Sequence, residues 1–233
     1  MIRSLSWLPL GAVVILLGCG HKPEQYVLPD QVTDFSALYH ANCGGCHGQN
    51  GRYGAARPLN DGLYLALIGN EKLREVIAKG VPNTTMPAFA QEAGGTLTER
   101  QIGVLADRIM ARWSHTVEAS EASLPSYSAS LGDASRGEAV FHEDCASCHG
   151  EDGTGGRGSK GGSVVDPAYL TLVSDQSLRT TVIVGRSDEG IPNWQSYVPG
   201  QAMKPQEISD VVAWLAAHRT LPGTRAKGAT TVP

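Results

Sequence analysis

Two pentapeptides carry the chemistry of this chain: Cys43-Gly44-Gly45-Cys46-His47 and Cys145-Ala146-Ser147-Cys148-His149. Each places two thiols on one turn of backbone with an imidazole directly after them. That spacing suits covalent haem attachment, in which the thiols form thioethers to the two vinyl groups of one porphyrin and the histidine supplies an imidazole nitrogen to the iron. A structural zinc site needs four ligands and recruits a second Cys or His pair nearby, and neither repeat contains one. A thioredoxin-type redox pair asks for a strand–helix setting and has no use for the trailing histidine. The cysteine count agrees: of five cysteines, four lie in the two motifs and the fifth is Cys19. Two covalently bound haem c groups, with His47 and His149 as iron ligands, are therefore expected, and no thiol is left for a disulfide.

The surrounding chain reads as wrapping for these two sites. Residues 1–18 have the pattern of a secretion signal, with Arg3, a broken apolar run from Leu5 to Leu17, and a closing Leu16-Leu17-Gly18-Cys19. The run is short for a membrane span. The closing tetrapeptide resembles the lipobox of bacterial lipoproteins, which implies lipidation at Cys19 and a place in the cell envelope, facing the periplasm or the exterior. Residues 19–31 are polar, carry Pro23 and Pro29, and read as a tether.

Residues 32–113 form a first domain. Phe35, Leu38 and Tyr39 lie at helical spacing before the motif, and a glycine-punctuated loop leads from it to Pro58-Leu59. Leu73, Val76, Ile77 and Gly80 mark a second helix with a glycine stop, and Met86-Pro87-Ala88-Phe89 follows. Thr98 and Gln101 then open a closing helix whose apolar stripe is Ile102, Leu105, Ala106 and Ile109. After a linker at 114–130, residues 131–220 repeat the plan and 221–233 form a tail. Val140-Phe141 matches Leu38-Tyr39, Leu178, Val182 and Gly185 match Leu73, Ile77 and Gly80, and Ile208, Val211, Val212 and Leu215 match the closing stripe. An internal repeat of this kind means two units.

This order of helix, Cys-x-x-Cys-His, loop, helix, Met-Pro and closing helix resembles the class I cytochrome c family. The resemblance implies an all-α fold of two small haem-binding domains in tandem. It implies His47 and Met86 as the two axial ligands of the first haem, with the Pro58 carbonyl orienting the His47 ring. Trp214 stands where the family has an aromatic packed on the first helix. The first repeat has Arg108 there, which should loosen that contact.

The sixth ligand of the second haem is open. Aligning Gly185 with Gly80 puts Ile191-Pro192-Asn193-Trp194 opposite Met86-Pro87-Ala88-Phe89, and isoleucine has no lone pair for iron. Either the site is vacant beside Ile191, or Met203 fills it, or a histidine such as His142 or His218 does. Met203 falls opposite Leu97, where packing is its expected role.

With 41% hydrophobic residues and only three phenylalanines, each small domain is marginal on its own side chains, so a covalently fixed haem should serve as the core and the apo chain should fold poorly. The formal net charge of -4 and the absence of a basic stripe argue against nucleic acid. The resemblance implies an electron carrier or a cytochrome subunit of a respiratory complex, rather than an enzyme. Its redox partners would be a quinol-oxidising complex, a terminal oxidase or a soluble cytochrome, reached from a lipid anchor in the membrane. The alternative is a haem enzyme or ligand-binding sensor using an open sixth position on the second haem.

Replacing Cys19 with alanine should abolish lipid modification and move the protein to the soluble fraction. Unchanged partitioning with membranes would refute the lipobox.

Overall fold

A computed structural model describes residues 26–82, 84–114, 124–156, 158 and 160–219, so the signal segment and Cys19 lie outside the described residues. The fold is all-α. The first repeat contains α1 (Phe35–Asn42), α2 (Gly44–His47), α3 (Gly62–Lys79) and α4 (Glu99–Trp113); the second contains α5 (Ala134–Asp144), α6 (Ala146–His149), α7 (Pro167–Leu172), α8 (Asp175–Val184) and α9 (Pro205–Ala217). Among the described residues the only β pairing is three isolated bridges, and no helix is long and apolar enough to cross a membrane.

Helix starts are set by acidic or hydroxyl caps at matched places. Asp34 accepts from Ala37 N–H to open α1, and Asp133 accepts from Arg136 N–H to open α5. Asp61 caps α3 and Asp166 caps α7, each by accepting from the third residue on. Thr98 and Gln101 form the expected capping box on α4. The Gln101 side chain is also buried, and its amide donates to Pro29 O at 2.8 Å and Val32 O at 2.9 Å. A 3-10 turn at Pro29–Gln31 is thereby pinned to the closing helix.

The second helix of each repeat starts earlier than its apolar pattern suggests. Gly69 inside α3 has φ 68° and ψ 166°, so α3 is two helical pieces joined at a kink. In the second repeat the corresponding break separates α7 from α8, with Ser174 as the α8 cap. Both helices end on a left-handed-φ glycine, Gly80 (φ 69°) and Gly185 (φ 73°). A Cβ there would fall 2.4–2.7 Å from the backbone of the following loop, so glycine is required on two counts.

First and last helices cross closely in the second repeat. A Cβ on Gly137 would sit 2.0 Å from Asp210 O and 2.8 Å from Trp214 Cβ. Above this contact Phe141 and Trp214 stack at 4.2 Å. In the first repeat, with Arg108 at the place of Trp214, the two helices meet less closely, as expected, yet an aromatic lock is kept. Trp113, five residues further along α4, meets Tyr39 edge-on at 5.4 Å and Phe35 at 6.2 Å. Phe35 occupies the place of Gly137, so α1 and α4 are held apart and a large ring from the helix end bridges the gap.

A buried carboxylate ties the start of the second repeat to α9. Asp210, 3% exposed, accepts from Asp133 N–H (2.7 Å), Arg136 Nε (2.8 Å), Arg136 Nη2 (2.9 Å) and Gln206 Nε2 (2.9 Å). The Arg136 guanidinium holds its carboxyl down to about 2, against 3.8 for a free one. A depressed carboxylate stabilises the fold fully above its unfolded pKa and loses that contribution as pH falls through the folded value. Asp210→Asn should therefore cost about 1–3 kcal/mol in denaturant unfolding of the holoprotein near neutrality. The deficit should shrink as pH falls from about 3.8 toward 2. A deficit unchanged over that range would show that the charge is not what holds the junction.

Candidate haem sites

In each repeat the first motif cysteine closes the opening helix and begins the next turn. Cys43 N–H donates to Tyr39 O (2.8 Å) and His47 N–H donates back to Cys43 O (2.9 Å); Cys145 and His149 repeat this at 2.8 and 3.0 Å. The two thiols and the imidazole thus issue from one short helix fixed against the buried faces of α1 or α5, where Leu38, Tyr39 and Phe141 are 1–4% exposed.

Both imidazoles are oriented through Nδ1. His47 Nδ1 lies 2.7 Å from Arg57 O, and His149 Nδ1 lies 2.8 Å from Gly162 O. A carbonyl only accepts, so the ring proton is on Nδ1 and the Nε2 lone pair is free for a metal. The acceptor for His47 is the carbonyl before Pro58, not that of Pro58 itself. Proline restricts the preceding residue to extended backbone and cannot donate, which leaves the Arg57 carbonyl fixed and available. In the second repeat the same duty falls to Gly162, and no feature of its sequence marks it. The matched backbone bonds reveal it: Ala56 N–H donates to Cys46 O at 2.9 Å, and Gly161 N–H donates to Cys148 O at 2.7 Å. A Cβ on Gly161 would come within 2.6 Å of His149 Cε1, so this glycine lets the backbone lie against the ring.

The donor set fits covalent haem. Burial, then the neighbouring Cys46, pushes the Cys43 thiol up to about 11; burial, Asp144 and Cys148 push Cys145 up to about 12. Neutral thiols suit thioether formation better than thiolate coordination, which needs deprotonated sulfur. Among the described residues no group of three or more His, Cys, Asp and Glu side chains is placed to hold a metal ion on its own.

The loops after the glycine stops share one register. Val81 N–H donates to Met86 O (3.1 Å), and Arg186 N–H donates to Ile191 O (3.0 Å). The bonds back to the preceding helix differ by one residue, Phe89 N–H reaching Ile77 O, three before Gly80, and Trp194 N–H reaching Ile183 O, two before Gly185, both at 3.1 Å. Leu97 N–H then donates to Phe89 O (2.8 Å) and Met203 N–H to Trp194 O (2.9 Å). Ile191 therefore stands where Met86 stands, and Met203, 4% exposed, stands where Leu97 stands.

Arg57 joins the two repeats. Its carbonyl serves His47 while its guanidinium donates to Gly185 O (3.1 Å) and Thr181 Oγ1 (2.7 Å) at the end of α8, and lies over the Tyr64 ring at 5.7 Å. Burial pulls its pKa down from the ordinary arginine value. Beside this seam runs a groove of about 800 Å³ lined by Lys72, Lys79, Tyr127, Asp175 and Arg219, and none of the motif residues borders it.

Comparison with known proteins gives two family matches. Residues 134–219 match the family described as cytochrome c, and residues 30–107 match the family described as cytochrome c oxidase, cbb3-type, subunit III. The cbb3-type cytochrome c oxidase subunit CcoP of Cereibacter sphaeroides is 28% identical over 170 residues, covering 69% of this chain and 53% of that protein. The subunit FixP of Sinorhizobium medicae is 28% identical over 169 residues, covering 66% and 53%. The chain thus spans about half the length of these curated relatives. Among solved structures, a reducing HAO-like protein complex of Kuenenia stuttgartiensis is 18% identical, with a TM-score of 0.47, covering 84% of this chain and 100% of that one.

Arg57→Gln keeps the carbonyl that holds His47 and removes the two bonds across the seam. It should weaken the junction by about 1–3 kcal/mol. Hydrogen exchange at the Arg186 and Ile191 amides should accelerate while the first haem's spectrum stays as it was. Unchanged exchange would show that the seam is held elsewhere.

Proposed function

From a chain that is a tandem dihaem c-type cytochrome of the class I fold, we propose a relay that passes single electrons through two covalent haems between a respiratory donor and an acceptor. The observation that carries it is the site built twice: a thiol pair and an imidazole on one helical turn, with Nδ1 bound to a backbone carbonyl at 2.7 and 2.8 Å. Cys43 and Cys46 would hold the first haem and Cys145 and Cys148 the second, with His47 and His149 as imidazole donors to iron and Met86 as the thioether donor to the first. When bound, the haems supply reversible one-electron chemistry at iron.

The protein's own part is positioning. Carbonyl-to-imidazole bonds fix ring orientation and raise the basicity of Nε2. Buried Leu38, Tyr39, Ile102 and Leu105, with Phe141, Ile208 and Val211 in the second repeat, keep water from the core and lower the local dielectric, which tunes potential. Similarity to proteins named as cbb3-type oxidase subunits supports a terminal oxidase as acceptor, and a quinol-oxidising complex fits as donor. A lipid on Cys19 would keep the relay at the outer face of the membrane.

The purified protein should carry two haems per chain by pyridine haemochrome assay and intact mass. Met86→Ala should keep that count, erase the weak near-infrared sulfur–iron band and lower the first haem's potential. One haem or none would end the relay reading; a band that survives would end the Met86 assignment.

A further inference from the structure

The second repeat offers a binding position that the first does not. Backbone bonding puts Ile191, not Met203, at the place of Met86. Met203 is occupied as a core residue: its N–H is bound to Trp194 O, and its side chain is buried just before α9. The two histidines lie on elements other than the loop that follows Gly185. His142 Nδ1 pairs with Glu151 Oε2 at 2.8 Å on the exposed face of α5. His218 Nδ1 is 2.9 Å from Trp214 O at the end of α9, its ring edge-on to Trp214 at 4.4 Å. Within the loop, Asn193 Oδ1 accepts from Gln195 N–H, the Gln201 amide donates to Glu143, and the Tyr197 hydroxyl donates to Val182 O at 3.1 Å.

We propose that the second haem lacks a sixth ligand from this chain and binds a small uncharged diatomic, carbon monoxide or nitric oxide, at the position Ile191 takes from methionine. This rests on the haem reading of the second motif. The loop favours that class of ligand. Ile191 and Pro192 are apolar, Trp194 is 2% exposed, Val182, Ile183 and Val184 are buried at the end of α8, and the loop's cation, Arg186, is already paired with Asp188 (3.0 Å) and Glu189 (2.6 Å). A lining of this kind raises the cost of an anion and spares a neutral ligand. Peroxide cleavage would call for a free distal acid or base, whereas Tyr197 is committed to a backbone carbonyl and Asp188 and Glu189 are held by Arg186. Ligand binding is therefore favoured over enzymatic turnover.

The test uses the full-length holoprotein, reduced, with and without carbon monoxide. Half of the haem should be high-spin and shift on addition of the gas, and the other half should not move. Ile191→Met should bring the reactive half to zero and add sulfur–iron absorption. Met203→Leu should leave spin state and gas binding unchanged. Two haems per chain that are both low-spin and inert to carbon monoxide would overturn the proposal while leaving the relay intact; fewer than two haems would remove the relay itself. Gas binding that persists in Ile191→Met, or a high-spin haem created only by Met203→Leu, would also overturn it. The unaltered protein's spectrum decides the matter even where a variant fails to fold.

Discussion

An imidazole that is to bind iron must keep one nitrogen free and the other tied, and both repeats are arranged around that demand. The free nitrogen needs a fixed ring, so Nδ1 donates to a main-chain carbonyl that is itself immobilised. That carbonyl is 10 residues after His47 and 13 after His149. The glycine-rich loops are what let such short spans double back. Gly48 and Gly150 adopt positive φ directly after the histidine, and Gly51 and Gly153 do so again three residues on. Gly51 and Gly153 then each accept a hydrogen bond from the returning strand of loop, from Leu59 and Val164 at 2.9 Å. Capping, helix packing and the aromatic locks fix the two walls between which this loop is strung.

The same loop makes the molecule more than two independent beads. Arg57 supplies the carbonyl for one site from its backbone and closes the seam to α8 with its side chain. A half-buried guanidinium is tolerated because its donors find a carbonyl, a hydroxyl and an aromatic face. The linker just before the second repeat is tied down to it: Arg179 and Gln176 of α8 hold the carbonyls of Ser126 and Tyr127. An electron relay needs its two sites at a fixed separation, and hydrogen bonds between buried groups give that more firmly than exposed ion pairs would.

Much of this was legible in the sequence because it depends on local chemistry. The motifs, the capping box at Thr98, the glycine stops at Gly80 and Gly185 and the place of Met203 all follow from residue type and spacing. What escaped depends on where the backbone goes. Any residue can present a carbonyl, so neither Arg57 nor Gly162 announces itself as the acceptor. The kink at Gly69 hides inside a continuous helical pattern, and its counterpart in the second repeat shows only as Ser174, a serine that is unremarkable until it caps α8. Comparing position with position, Arg108 marks a loosened aromatic contact without showing what replaces it. The first repeat restores it from Trp113, which a wider crossing of α1 and α4 brings into reach.

The loop from Trp194 to Met203 is one residue longer than that from Phe89 to Leu97. A slip of one residue should move every following side chain, yet α9 packs in the register of α4. The surplus is absorbed in a turn: Gln201 N–H closes back on Val198 O at 3.0 Å, and the Tyr197 hydroxyl anchors the turn to α8. The bond from Met203 N–H to Trp194 O is thereby preserved, and the methionine enters the core as a flexible apolar filler. Moving its sulfur out of that place would vacate buried volume ahead of α9, a cost that one additional iron–sulfur bond would have to offset. The loop keeps Met203 as packing, and the place that Met86 takes in the first repeat falls to Ile191 in the second.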